Sequence, residues 1–331
     1  MQAFLRAQWN KRGLWAWLWL PLSLLVCLLA RLKRNAYRWG LLKSYRVSIP
    51  VIVVGNLSVG GAGKTPLVAY IADLLSKQGY RPGIISRGYK GSADTWPQNV
   101  TPSSDPARVG DEPVMLAKLT GCPVAAGANR QLSAQHLIND KGCDVILSDD
   151  GFQHLKLARD INILVFDTTF KGGLGNRWCL PSGPLREPPS ARNAADFQVF
   201  NGGSASADKA GSYNMTLLAG KIYALSNKQL ANIKTLKQQP LHAVAGIGSP
   251  ARFFESTRNL GLTIIEHSFD DHHPFTASDL EFDDCYEVIT TEKDAIKLAR
   301  IKNKTRIWVL PVHARLDDPF DIDLLKKLRP L

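Results

Sequence analysis

The stretch Val51-Ile52-Val53-Val54-Gly55-Asn56-Leu57-Ser58-Val59-Gly60-Gly61-Ala62-Gly63-Lys64-Thr65-Pro66 decides how this chain is read. Four β-branched residues in a row predict a buried strand, and Leu67, Val68, Ile71, Leu74 and Leu75 then recur at helical spacing. Between strand and helix lies a glycine-rich loop ending in Lys-Thr. Glycines let backbone N–H groups turn inward around phosphate oxygens, and the helix that follows presents its positive end to them. In this arrangement Ser58, Val59, Gly60, Gly61, Ala62 and Gly63 cradle phosphates, Lys64 reaches the β- and γ-phosphates, and the Thr65 hydroxyl ligates Mg²⁺. Pro66 suits the first helical turn, where a missing N–H costs nothing. One departure from the G-x-x-x-x-G-K-T pattern is that Ser58 stands where the leading glycine is usual.

Outward from this loop, short apolar runs alternate with helical patterns: Val145 to Leu147, Ile161 to Phe166, Val199 to Phe200, His242 to Ala245, Glu287 to Thr290 and Ile307 to Leu310. That rhythm predicts an α/β protein with a P-loop-type doubly wound sheet. Asp149-Asp150 in VILSDDGFQH follow one such run. A carboxylate ending a strand beside the P-loop strand is where nucleotide sites of this kind hold Mg²⁺, although Asp-Asp-Gly is also an ordinary turn sequence. The Gly/Ser-rich segment NGGSASADKAG from Asn201 to Gly211 reads as a loop, and the domain change is placed near it. The expected organisation is a membrane-associated helical region at 1–40, the P-loop core at 41–205, and a linker at 206–240. A smaller α/β domain at 241–331 completes it. Within the linker, Met215 to Leu218 and Ile222 to Leu225 suggest a two-stranded ribbon.

Leu14 to Ala30 (LWAWLWLPLSLLVCLLA) carries no charge, with Trp9, Trp15, Trp17 and Trp19 crowding its front and Arg31, Lys33, Arg34 and Arg38 behind. A core helix, a signal peptide and a retained anchor compete for this segment. Cys27 sits in a poor cleavage context, and export would part the phosphate loop from cytosolic nucleotide. The expectation is therefore an N-terminal membrane helix, dipping into or spanning the bilayer, with basic flanks near anionic lipid. With 41 Lys and Arg against 29 Asp and Glu, the formal charge of +12 also implies an anionic partner. Cys27, Cys122, Cys143, Cys179 and Cys285 show no metal or disulfide spacing and read as reduced thiols. A guanine reader of the N-K-x-D kind is missing, since Thr291-Glu292-Lys293-Asp294 sets the Lys directly beside the Asp. Adenine, hence ATP, is the expected nucleotide.

In order along the chain stand PVIVVGNLSVGGAGKTP, IISRGYKG, GDEPVMLAK, DDGFQHLKLARD, GNRWCLPSGPLREP, FDDHHPF and TEKDAIK, after the Trp-rich start. In these motifs the chain resembles the tetraacyldisaccharide 4'-kinase family over nearly its whole length. The resemblance implies a two-domain kinase at the cytoplasmic face of the bacterial inner membrane. Such an enzyme uses MgATP to phosphorylate the 4'-hydroxyl of a tetraacylated glucosamine disaccharide 1-phosphate, making lipid IVA for lipid A and lipopolysaccharide biosynthesis. It implies Asp111 of GDEP as base and His272 of DHH as its partner, with His273 adjacent. It further implies Arg186 at the transferring phosphoryl, Gln153 and Glu187 with Asp149 and Asp150 at the metal, and Arg87 at a phosphate. The physical sense is direct: a carboxylate accepts the sugar hydroxyl proton, and an imidazole orients it.

A membrane-associated P-loop ATPase switch of the partitioning or insertion type is the alternative, but such proteins carry Lys before the paired glycines, where this chain has Val59. No nucleic-acid module is recognisable, so neither a nucleic acid nor an obligate protein partner is expected.

Overall fold

The computed structural model describes residues 8–203, 211–301, 306–317 and 319–329. Strand β1 (Val51–Gly55) leads into the phosphate loop and the helix Lys64–Lys77. Around it stand β2 (Pro82–Ser86), β3 (Gln98–Val100), β4 (Val124–Ala126), β5 (Val145–Asp149), β6 (Ile161–Asp167), β7 (Phe197–Asn201) and β8 (Ser212–Ala219). Residues alternate across β1: Ile52 and Val54 pack with Leu67, Val68 and Ile71 on one face, Val51 and Val53 with Ile146, Phe152 and Leu164 on the other. A strand buried on both faces in this way belongs in the middle of a parallel sheet. Accordingly β1 pairs in parallel with β5 on one side and β6 on the other, and its Val54 is level with Asp149.

A second sheet holds β9 (Tyr223–Ala224), β10 (Leu241–Ala245), β11 (Ile264–Ser268), β12 (Glu287–Thr291) and β13 (Ile307–Leu310), in the order β11-β10-β12-β13-β9. Helices Pro250–Asn259 and Glu292–Leu298 follow β10 and β12. The chain then returns. Strand β14 (Val312–Leu316) pairs antiparallel with β8, giving the large sheet the order β14-β8-β7-β6-β1-β5-β2-β4-β3. Helix Pro319–Leu328 seals that end, with Phe320 fully buried against Tyr70, Phe197 and Tyr213.

This connectivity differs from the expected 241–331 unit, because strand Val312–Leu316 joins the large sheet and helix Pro319–Leu328 packs on it. The expected ribbon differs too: Met215 lies in β8 and Tyr223 in β9, on separate sheets, and the antiparallel partner of β8 is β14. Buried Tyr213 and Met215 make β8 an extension of the large core. The expected boundary at 205/206 falls within 204–210, outside the described residues.

The N-terminal segment also corrects the expectation of a membrane-crossing helix. Helix Leu14–Leu18 stops at Trp19, and a second helix, Leu20–Arg38, starts with Pro21 in its first turn. Arg31, Lys33, Arg34 and Arg38 lie inside that second helix. No helix among the described residues is long and apolar enough to cross a membrane. Ser23, Cys27, Ala30 and Arg34, three and four residues apart, form its inner side. Ser23 Oγ donates to the Cys179 carbonyl at 2.7 Å, and Trp9 Nε1 to the Pro181 carbonyl at 3.0 Å. Leu24, Leu25, Leu28, Leu29 and Leu32 face outward, uncovered.

Candidate active site

The carboxyl ends of the parallel strands open into a cleft of 1410 Å³, walled by the large sheet on one side and the small sheet's loops on the other. The phosphate loop forms its floor. Gly60 and Gly63 both have positive φ (104° and 92°), which turns their amides inward. At Gly63 a side chain would strike Asn201, whose amide donates to the Ala62 carbonyl at 3.0 Å. Ser58 forms an antiparallel bridge to Leu185, and Val59 N–H donates to the Pro184 carbonyl at 2.9 Å. The Ser58 position is thus a short strand-like anchor, which needs no glycine.

Lys64 Nζ lies 3.2 Å from Asn56 Oδ1 and 3.4 Å from Asp150 Oδ1, and Arg186 Nη1 lies 3.0 Å from Asp150 Oδ2. Burial alone would raise the Asp150 carboxyl, but Lys64, Arg186 and Arg130 together hold it down at about 2. Its φ of +45° is the left-handed backbone of the Asp-Asp-Gly turn, so the turn and the ionic roles coexist. Asp149 is the opposite case. Fully buried at the end of β5, and facing the Glu112 carboxylate, its carboxyl is pushed up to about 7. Its Oδ1 is buried without a hydrogen-bond partner among the described residues.

Across the cleft, Asp111 opens the helix Asp111–Thr120, and His272 sits in the loop after β11 with φ +63°. Residues 161 apart in sequence come together here: His272 Nδ1 is 3.7 Å from Asp111 Oδ2. Neighbouring His273 instead meets Asp279 at 3.1 Å and packs on Phe269 and Phe275. Of the two imidazoles, His272 is the one on the cleft. Other contacts also span the cleft: Lys293 to Glu112 at 3.6 Å, Arg252 to Asp167 at 2.7 Å, and Arg300 to Asp105.

Thr65, Asp149, Asp150 and Gln153 all line the cleft. Gln153 donates its Nε2 to the Asn56 carbonyl at 2.9 Å and so braces the loop. Glu187 does not line this cleft. Its carboxylate takes two hydrogen bonds from Arg34, at 2.6 and 2.8 Å, and borders a separate cavity of 750 Å³ with Arg34 and Arg159. The reason is electrostatic: a carboxylate only 5% exposed needs a cation, and the N-terminal helix supplies one. No grouping of three or more His, Cys, Asp or Glu side chains suited to a metal ion occurs among the described residues. Arg87 and Tyr89 line the cleft as well.

Sequence reasoning missed Arg130, Lys33 and Lys293. Buried Arg130 forks to Ser148 Oγ and the Asp149 carbonyl, both at 2.6 Å, and to the Asp150 carbonyl at 3.1 Å, fixing the two aspartates. Its signal was GANR directly after β4, where the cleft loops emerge. Lys33 donates to the Gln153 carbonyl at 3.2 Å, joining the N-terminal helix to the site.

The family model described as Tetraacyldisaccharide-1-P 4'-kinase matches residues 15–329. The chain is 48% identical to the tetraacyldisaccharide 4'-kinase of Alkalilimnicola ehrlichii over 295 residues, 89% of this chain and 87% of that protein. Against the tetraacyldisaccharide 4'-kinase of Aromatoleum aromaticum it is 43% identical over 328 residues, 97% and 96% of the two chains. The crystal structure of apo-form LpxK from Aquifex aeolicus in complex with ATP superposes with a TM-score of 0.79 at 30% identity, covering 95% of this chain and 99% of that one.

Proposed function

This chain belongs to the tetraacyldisaccharide-1-P 4'-kinase family, and from that premise we propose that it phosphorylates the 4'-hydroxyl of a tetraacylated glucosamine disaccharide 1-phosphate with ATP, forming the lipid A precursor lipid IVA. One observation carries the reading. Lys64 and Arg186 line the cleft from the phosphate loop's side and His272 lines it from the small sheet's side, its Nδ1 3.7 Å from Asp111 Oδ2 just behind Glu112 of the lining. The loop amides and Lys64 hold the phosphates, while Arg186 and Lys64, now neutralised by Asp150, are placed to follow charge onto the transferring group. The acceptor hydroxyl stands between γ-phosphate and Asp111, whose carboxylate takes its proton as the new bond forms.

Mg²⁺ fits the donor set at Thr65 and Asp149, both oxygen donors, with the unpartnered Asp149 Oδ1 as the orphaned atom a cation would satisfy. When bound, the ion supplies positive charge to the β- and γ-phosphate oxygens. Glu187 has no place in that set, since Arg34 occupies its carboxylate.

The outward leucines of helix Leu20–Arg38, beside Arg31, Lys33 and Arg38, suit a helix lying in the headgroup zone of an anionic bilayer. We place the enzyme at the cytoplasmic face of the bacterial inner membrane, where both ATP and its lipid acceptor are present. Detergent-purified protein given MgATP and the disaccharide 1-phosphate tests the reading by mass. The acceptor gains one phosphoryl group, and ATP turnover requires the acceptor. Acceptor-independent ATP hydrolysis with no phosphorylated lipid supports the ATPase-switch reading instead.

A further inference from the structure

Thr291-Glu292-Lys293-Asp294 does not read a guanine; it builds the end of β12 and the first turn of the helix Glu292–Leu298. Thr291 Oγ1 caps the helix by accepting from Asp294 N–H at 3.1 Å. Buried Asp294 accepts from Gly246 N–H and from Thr291 Oγ1, both at 2.9 Å, and pairs with Lys297 at 2.6 Å. With its neighbours so fixed, Lys293 extends into the cleft. Its Nζ lies 3.1 Å from Asp271 Oδ1, 3.3 Å from His272 Nε2 and 3.6 Å from Glu112 Oε1. Two of these partners, Glu112 and Asp271, are the sequence neighbours of Asp111 and His272, one from each side of the cleft.

An ammonium group has donors and no acceptor, whereas a neutral imidazole has one N–H and one lone pair. The Nε2 that meets Lys293 therefore offers its lone pair, and the ring proton resides on Nδ1. That nitrogen faces Asp111 Oδ2 at 3.7 Å, a contact that a small further closure makes a hydrogen bond. We propose that Lys293 is a positioning residue that selects the Nδ1–H tautomer of His272 and so aims its proton at the Asp111 carboxylate. This rests on the Asp111–His272 reading above.

The ring's charged surroundings explain why a cation is needed there. Asp111 and Glu112 approach from the helix Asp111–Thr120, Asp271 from the ring's own loop, and Lys293 from the helix Glu292–Leu298. Lys297 acts on Asp271, and the Tyr89 ring stands edge-on at 5.6 Å. Lys293 sets a cation against the imidazole Nε2 among these carboxylates. Without its N–H donors, the Nε2 lone pair loses the partner that fixes the tautomer.

The direct test is ¹⁵N NMR of the His272 ring in the full-length protein in detergent at mildly alkaline pH, assigned with His272→Gln. Protonated Nδ1 with unprotonated Nε2 is the expected state, and a proton on Nε2 overturns the proposal whether or not any Lys293 variant folds. In parallel, Lys293→Met should lower kcat about tenfold or more near neutral pH with little change in KM for ATP. Lys293→Arg, which keeps a donor cation at the same place, should restore most of that kcat. A change confined to KM, no loss of kcat, or no rescue by Lys293→Arg overturns the inference. Failure of the underlying reading looks different: Asp111→Asn and His272→Ala would then keep the wild-type kcat.

Discussion

Two adjacent carboxylates, Asp149 and Asp150, acquire opposite chemistry from one turn of chain. Asp150 faces Lys64 and Arg186 and sits at about 2, so its stabilising contribution is complete above its ordinary value of 3.8 and is lost as pH falls toward 2. Asp149 is buried beside Glu112 and sits at about 7, so its contribution is present at acid pH and is lost as pH rises through 7. Asp149→Asn should therefore raise the melting temperature of nucleotide-free protein by a few degrees at pH 8, and by less at pH 5.5, while abolishing turnover. Differential scanning calorimetry at the two pH values checks the sign; a lower melting temperature at pH 8 would count against the burial argument. Lys64→Ala and Thr65→Ala should each cut kcat by about 100-fold or more with the circular dichroism spectrum unchanged, because both act on phosphate and Mg²⁺ and not on packing. Near-normal turnover in either removes the loop from the chemistry. The loop was legible in the sequence because its parts are contiguous and its backbone demands glycine. Glu187 was not: its partner Arg34 lies 153 residues away, and no local pattern reveals that pairing. Lys293 hid for the same reason, its function depending on groups brought from both sides of the cleft.

Among the elements, strands rich in β-branched and other apolar residues declared themselves, and β1, β6 and β13 stand where their apolar residues put them. Pro82–Ser86 did not, since a proline starts it and Gly83 interrupts it, and Gln98–Val100 and Val124–Ala126 are only three residues long. The apolar N-terminal run was legible as a helix but not as a broken one. Hydropathy counts residues, whereas Ser23, Cys27 and Arg34 reveal an inner face that only the core explains. The opposite, outward face has a testable consequence. Changing Leu24, Leu28 and Leu29 together to Gln should abolish flotation with anionic vesicles while leaving ATP binding intact, because the three side chains are more than half exposed (61%, 52% and 57%). Binding that persists in the triple variant would place the membrane contact elsewhere.

At the scale of the molecule, the two-sheet α/β plan followed from the alternation of strand and helix signals, whereas the return of β14 to the large sheet did not. A five-residue strand, Val312–Leu316, carries no mark of which sheet it joins. That return makes the chain cross between the sheets twice, at β8 to β9 and at β13 to β14, on one side of the cleft. Arg252–Asp167 and Lys293–Glu112 clasp the two sides, and the Asp111–His272 pair exists only because they meet. Asp111 and His272 thus act as one unit across the cleft. That coupling is tested most directly by kcat for phosphorylation of the disaccharide 1-phosphate in wild type, Asp111→Asn, His272→Ala and the double variant. His272→Ala should cost about tenfold or more alone but less than about threefold once Asp111 is gone, because coupled catalytic groups are non-additive. Fully multiplicative losses in the double variant would contradict it.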